Sequence, residues 1–216
     1  MARILSTKSL TESQQQLLLN TDHSLVHYDA IQISELSSNF PQKPLTNAIV
    51  TSQNTARIII AQAFKIDQLF CVGEKTASLL SSHGYQVVLI CEYAAQLAKL
   101  ITQNYASDTF SLLCSQQRLD TIPHRFVAEN MSLTEYHLYE TSSRHQHFQN
   151  DFDVVLFYSP SGIHSFFEAN SEMTSIQAVC IGTTTAEVAK RYVKNVTYST
   201  KTSVESVIVK AVQLLR

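Results

Sequence analysis

The chain has 216 residues, 44 % of them hydrophobic and 16 % charged, which fits one large or two small folded domains and excludes a disordered chain. Lysine and arginine number 16 against 18 aspartate and glutamate, a net charge of -2 that argues against a nucleic-acid partner, which needs a clustered basic face. A small anionic ligand stays open, because helix N-termini hold anions with backbone N–H groups.

Arg3 to Ser6 reads as a strand, and Ser9-x-x-Glu12 as a capping box opening a helix to Leu19. Leu25 to Ile33 is extended. Strand and helix then alternate: Ala48 to Val50 and Asn54 to Ala63, Leu69 to Val72 and Lys75 to His83, Val87 to Ile90 and Ala94 to Thr102. A strand at Phe110 to Cys114 precedes a helix ending at Glu129, and Leu133 to Glu140 is extended again. The alternation resumes with Val154 to Phe157, a helix over Gly162 to Glu168, Ala178 to Ile181, a helix over Thr185 to Tyr192, and a last helix from about Ser203. This order predicts parallel sheets covered by helices on both faces. No apolar run approaches a membrane span, and Met1 to Ser6 carries no leader-like apolar stretch. Cys71, Cys91, Cys114 and Cys180 stand singly and read as buried reduced thiols, so a cytoplasmic protein without membrane contact is expected.

An internal repeat organises the chain. Ile181-Gly182-Thr183-Thr184-Thr185-Ala186 matches Val72-Gly73-Glu74-Lys75-Thr76-Ala77, and upstream Leu156-Phe157-Tyr158-Ser159-Pro160-Ser161 matches Ile49-Val50-Thr51-Ser52-Gln53-Asn54. Two matches in one order predict two similar α/β domains with parallel, flavodoxin-like sheets. The N-terminal strand and helix complete the second sheet, so residues 1–33 and 140–216 form a discontinuous domain with 34–131 inserted in it. Residues 25–33 and 132–140 are expected to pair as a two-stranded β-ladder, a hinge. In open α/β sheets ligands bind beyond the carboxyl ends of the strands, and the corners there are rich in hydroxyls: Ser6-Thr7, Thr51 to Asn54, Cys114 to Arg118, Ser159 to Gly162, and Thr183 to Thr185. Each hydroxyl also suits a helix N-cap. Gly73 and Gly182 read as tight turns that turn backbone N–H groups outward. His145-x-His147 reads as a solvated loop, and no metal or organic cofactor is expected.

These segments, with Tyr136-His137-Leu138-Tyr139-Glu140-Thr141 and Lys201-Thr202-Ser203-Val204, resemble the uroporphyrinogen-III synthase family over nearly the whole chain. The resemblance implies two α/β domains joined by a two-stranded ladder. It implies an enzyme that cyclises the linear tetrapyrrole hydroxymethylbilane with inversion of the last pyrrole ring and loss of water, in haem biosynthesis. It implies no cofactor, and a monomer is expected. Tyr139 matches the family's general-acid candidate, and a phenol keeps its proton at neutral pH. Thr76, Ser159, Ser161, Thr184 and Thr185 map onto substrate-lining hydroxyls. The expected binding set adds Ser6, Thr51, Ser52, Asn54, Ser115 and Thr202, the glycines Gly73, Gly162 and Gly182, and the cations Lys8 and Arg118. Thr183 stands where many members have Pro, and Lys8 where they have Arg. A non-catalytic ligand-binding protein on the same scaffold is the competing expectation.

Overall fold

A computed structural model describes residues 1–19 and 21–215. In chain order the strands and helices are β1 (Arg3–Ser6), α1 (Glu12–Leu19), β2 (Ser24–His27), β3 (Ile31–Glu35), β4 (Leu45–Val50), α2 (Gln53–Ala61), β5 (Ile66–Val72) and α3 (Glu74–Ser81). They continue as β6 (Val87–Cys91), α4 (Ala94–Asn104), β7 (Phe110–Ser115), α5 (Thr121–Ala128), β8 (Leu133–Ser143), β9 (Val154–Phe157), α6 (Pro160–Ala169), β10 (Gln177–Cys180), α7 (Thr183–Ala189), β11 (Asn195–Tyr198) and α8 (Val204–Leu214). Contacts divide the chain into two compact units, residues 1–32 with 142–216 and residues 33–141.

The first unit's sheet runs β11-β10-β9-β1-β2 and the second's β3-β8-β7-β4-β5-β6. Within the second unit the chain order across β6-β5-β4-β7-β8 is 3-2-1-4-5, where flavodoxin itself has 2-1-3-4-5. The doubly wound class is as expected, and this order puts the reversal of winding between β4 and β7. The first unit repeats it around β9 and β1. The sequence repeat is thus structural, with β4-α2-β5-α3-β6 matched by β9-α6-β10-α7-β11.

Period-2 alternation builds a core on each face of each sheet. In the second unit Ala48, Val50, Leu69, Cys71 and Leu113 face α2 and α3, while Ile49, Phe70, Leu112 and Cys114 face α4 and α5. In the first, Val155, Phe157, Ala178 and Cys180 meet α6 and α7, and Val154, Leu156 and Val179 meet α8. Burying each such Val, Leu or Phe contributes about 1.5–3 kcal/mol, which is what holds the layers together.

Three local readings change. Leu25 to Ile33 is not one extended segment: β2 pairs in parallel with β1, and a new strand, β3, lies beside β8. Residues 132–140 fall in β8, which pairs with β7 as a member of the sheet. The box at α1 is Thr11-x-x-Gln14, with Gln14 N donating to Thr11 Oγ1 (3.3 Å) and Thr11 N to Gln14 Oε1 (3.1 Å). Ser9 is not the cap: it lies two residues before Thr11, and its N and Oγ instead donate to Asp29, at 2.9 and 2.8 Å.

Candidate active site

Helices leaving β4 and β7 cover opposite faces of the sheet, so the chain diverges at their carboxyl ends and opens a crevice. A cavity of about 340 Å³ lies there. Thr51 and Ser52 from the β4–α2 corner, Ser115 and Arg118 from the β7–α5 corner, and Tyr139 from β8 all line it. Its apolar wall includes Val72, Leu112 and Cys114.

A bulge aims Tyr139 at this crevice. Cys114 is in register with His137 but Ser115 with Tyr139, so Leu138 is the extra residue. Gln116 N closes the bulge by donating to Tyr139 O at 2.8 Å. The tyrosine ring is buried in the α2–α3 face of the core, and its Oη lies 3.1 Å from Ser52 Oγ. Ser52 is the N-cap of α2: its Oγ accepts from Thr55 N at 3.1 Å and lies 2.9 Å from Thr55 Oγ1. A hydroxyl has one proton and two lone pairs. If Thr55 donates through its Oγ1 as well as its N, both lone pairs of Ser52 are taken and the Ser52 proton goes to the phenol oxygen. In that arrangement the Tyr139 proton is left for the cavity, whereas the reverse direction of the same contact spends it on Ser52.

Arg118, half-buried, is not a free cation. Its Nη2 donates to Glu135 Oε1 at 2.9 Å, its Nε binds Glu135 Oε2, and its Nη1 binds Asp120. The Glu135 hydrogen bonds raise the guanidinium further above its ordinary value. Beneath it the Cys114 Sγ lies 3.7 Å from His137 Nδ1. Burial pushes that thiol up to about 12, with the Glu135 charge adding and Arg118 opposing. Ser115 Oγ accepts from Gln117 N at 3.0 Å, and Gln117 pairs its side-chain amide with the backbone of Thr141.

The remaining expected residues of this unit stand apart from the cavity lining. Asn54 accepts from Arg57 at 3.3 Å on α2, and Thr76 is buried on α3. Gly73, the N-cap of α3, has φ 85°, the left-handed turn that the sequence suggests.

In the first unit the equivalent corner follows β9. Ser159 caps α6, accepting from Gly162 N at 3.1 Å, with Ser161 exposed beside it. A Cβ on Gly162 would stand 3.3 Å from Ser159 Oγ, so the close approach explains this glycine. Ser6 is fully buried; its Oγ donates to Lys8 O at 2.6 Å and lies 3.2 Å from Tyr158 Oη. Burial pushes the Tyr158 hydroxyl well above its usual value. Lys8, Thr184 and Thr202 are exposed, and Thr185 is buried on α7. Gly182 departs from the tight-turn reading. Its φ of -171° is extended backbone open to any residue, and a Cβ there would rest 3.6 Å from Thr202 Cγ2, an ordinary contact. One property is nevertheless common to Gly73 and Gly182: no side chain caps α3 or α7, whereas Ser52 and Ser159 cap α2 and α6.

His145 and His147 are exposed, and each has a carboxylate the sequence spacing did not disclose. His145 Nε2 lies 2.6 Å from Glu168 Oε2, and His147 Nδ1 lies 2.9 Å from Ala169 O and 3.9 Å from Glu172. The residues the sequence reading passed over are Glu135 and His137. Their signal was the Glu-x-His spacing on a strand, which puts both on one face. Among the described residues no helix is long and apolar enough to cross a membrane.

Across known proteins, the family model described as uroporphyrinogen-III synthase HemD matches residues 24–208. No curated protein matches the sequence significantly. Among solved structures, the uroporphyrinogen-III synthetase of Helicobacter pylori has a TM-score of 0.71 at 14 % identity, covering 100 % of both chains. A mutant uroporphyrinogen III synthase from the extremely thermophilic bacterium Thermus thermophilus has a TM-score of 0.66 at 14 % identity, covering 100 % of this chain and 99 % of the other. Those likenesses establish the shared fold. Because the family model itself matches residues 24–208, most of the sequence, the chain belongs to the uroporphyrinogen-III synthase family.

Proposed function

We propose that this chain closes hydroxymethylbilane to uroporphyrinogen III with inversion of the last ring, acting as a carbon–oxygen lyase. The observation that carries the reading is the family match over residues 24–208. In this reaction the C–O bond of the substrate's hydroxymethyl group breaks and the hydroxyl leaves as water, giving an electrophilic azafulvene. The last ring then attacks through its already substituted carbon to give a spiro intermediate, from which the inverted macrocycle forms. Spontaneous closure gives the uninverted isomer, so the protein's main task is to hold one conformation. Positioning alone supplies up to about 7–11 kcal/mol in favourable cases.

Tyr139 is the proton donor in this reading. Its Oη, held by Ser52 at 3.1 Å, presents its proton to the cavity, where a departing hydroxyl takes it and leaves as water. Thr55 anchors the pair through both its N and its Oγ1, so the donor is positioned before substrate arrives. The cavity sits at the low end of the ~300–1,000 Å³ range for small-molecule sites, and so suits one reacting end of the tetrapyrrole. The substrate's acetate and propionate groups need donors. The N-terminus of α3, without a side-chain cap, supplies backbone N–H groups for carboxylates. Arg118, already held by two carboxylates, serves less as a ligand clamp than as a brace for its corner. Four free, buried cysteines support a cytoplasmic location.

The test is to incubate the protein with hydroxymethylbilane and separate the isomers chromatographically. Uroporphyrinogen III as the main product supports the reading. The uninverted isomer alone, formed at the uncatalysed rate, overturns it.

A further inference from the structure

Beside the cavity, on residues that the proposed reaction leaves unused, three different ligand types converge. Cys114, Glu135 and His137 each bring a donor atom within 4.8 Å of the other two. Two adjacent parallel strands place them. Cys114 on β7 is in register with His137 on β8, and Glu135 precedes His137 by two residues and shares its face. Ligands on neighbouring strands of a sheet are held more firmly than ligands on loops.

We propose that Cys114, Glu135 and His137 form a three-ligand site for a borderline-soft divalent ion of the Zn²⁺ type, reached through the cavity. The donor set is one sulfur, one imidazole nitrogen and one carboxylate oxygen. That combination suits Zn²⁺ and excludes the oxygen-seeking Mg²⁺ and Ca²⁺. A tetrahedral ion with a metal–sulfur bond of about 2.3 Å and a metal–nitrogen bond of about 2.1 Å separates those two atoms by about 3.6 Å. The Cys114 Sγ and His137 Nδ1 are 3.7 Å apart. Cys114 forms part of the cavity wall, which gives the ion an entry path.

Arg118 is the competitor. Its guanidinium holds Glu135 through two nitrogens, and the ion must take that carboxylate from it. Charge stays balanced when it does. The thiol proton leaves to solvent, the thiolate and Glu135 neutralise the two positive charges of the ion, and Arg118 keeps Asp120 as its partner. His137 also gives up its 3.3 Å approach to Ser115 O, freeing Nδ1 as the ligand. The site therefore exchanges an internal ion pair for a metal, which predicts moderate affinity and a defined way to raise it.

Reduced, chelator-treated full-length protein is titrated with Co²⁺. The expected result is one equivalent giving a thiolate-to-cobalt charge-transfer band and the strong visible absorption of a four-coordinate ion, both removed by one equivalent of Zn²⁺. Cys114→Ser should abolish the charge-transfer band, and Glu135→Gln should weaken binding roughly 10- to 100-fold. Arg118→Met, which removes the competitor, should tighten it, by about tenfold on the same scale. His137→Asn is read alongside, so that the conclusion does not hang on the folding of one variant. The proposal is overturned if the native protein gives no such band, if the band survives Cys114→Ser, or if Zn²⁺ binds equally well after both Cys114→Ser and His137→Asn. That last outcome would place the ion elsewhere, as at the exposed His145 and His147. None of these readouts requires the cyclisation to occur, so they stand apart from the proposed reaction.

Discussion

Tyr139→Phe isolates one proton. The ring is buried in the core beside Leu138, and phenylalanine keeps that packing while deleting the hydroxyl 3.1 Å from Ser52. The stability cost is one neutral hydrogen bond, about 0.5–1.5 kcal/mol, and the lower half applies because Ser52 keeps Thr55 Oγ1 at 2.9 Å. If the phenol protonates the leaving hydroxyl, the rate of closure should fall roughly 10- to 1000-fold, about 1.4–4 kcal/mol of barrier. The assay is single-turnover closure of hydroxymethylbilane, followed by the rate and the isomer ratio together. A slower enzyme lets uncatalysed closure compete, so the uninverted isomer should rise, while the product formed on the protein stays inverted because positioning is intact. Ser52→Ala is the matched control. It removes the α2 cap, about 1 kcal/mol of stability, but leaves the phenol in place, so its rate should fall less than that of Tyr139→Phe. A Tyr139→Phe enzyme with native stability and unchanged rate would refute the donor role and leave a catalyst that works by conformation alone.

Ser159→Ala, at the matching cap in the first unit, should also cost about 1 kcal/mol, read as a melting temperature about 2–4 °C lower. Gly73→Ala should destabilise by about 1–2 kcal/mol because its φ is 85°, whereas Gly182→Ala, at φ -171°, should melt as the native protein does. Asp29 titrates with the fold. Burial raises its carboxyl, but the two bonds from Ser9, helped by Lys8 and Arg144, outweigh that and hold it below the usual range. A lowered folded-state pKa contributes stability above the ordinary carboxylate range and loses it as pH falls through the folded value. Melting curves of the native protein and Asp29→Asn should therefore differ at pH 7 and converge in acid.

The sequence carried the architecture because it is duplicated: a strand, a hydroxyl cap and a helix occur twice, and the capping chemistry of Ser52 and Ser159 is local to three residues. Tyr139 was legible only through resemblance. Its aim at the cavity depends on a bulge at Leu138, which alternation alone does not reveal. β3 and β11 were missed because Ile31–Glu35 and Asn195–Tyr198 mix polar and apolar residues without a buried run, as edge strands do. Ser9-x-x-Glu12 fits the box pattern as well as Thr11-x-x-Gln14 does, and only the fold shows that Thr11 and Gln14 make it while Ser9 turns to Asp29, twenty residues on. Arg118 read as a substrate-binding cation for the same reason, since Glu135 reaches it only when β8 lies down beside β7. Local chemistry was visible in the chain; chemistry made by strand pairing was not.

The two copies of the corner have diverged in what their hydroxyls do, and that divergence bears on where the chemistry lies. In the first unit the hydroxyls are spent on the fold. Ser6 donates to Lys8 O at 2.6 Å, Thr7 Oγ1 to Leu156 O at 2.7 Å, and Ser159 caps its helix. Tyr158, which replaces Thr51 of the other copy, is drawn down toward Ser6. In the second unit Thr51 is small, the space beside it is the 340 Å³ cavity, and the aromatic hydroxyl comes instead from β8. A phenol entering from a neighbouring strand can hydrogen-bond to the cap and still face the cavity, whereas one following the central strand itself turns back into its own corner. The same cap serine thus carries a structural load in one unit and orients a proton donor in the other. On that ground a Thr51→Tyr exchange should fill the cavity and block closure while leaving the α2 cap, and with it most of the stability, in place. Retained activity in a folded Thr51→Tyr protein would show that substrate does not enter there.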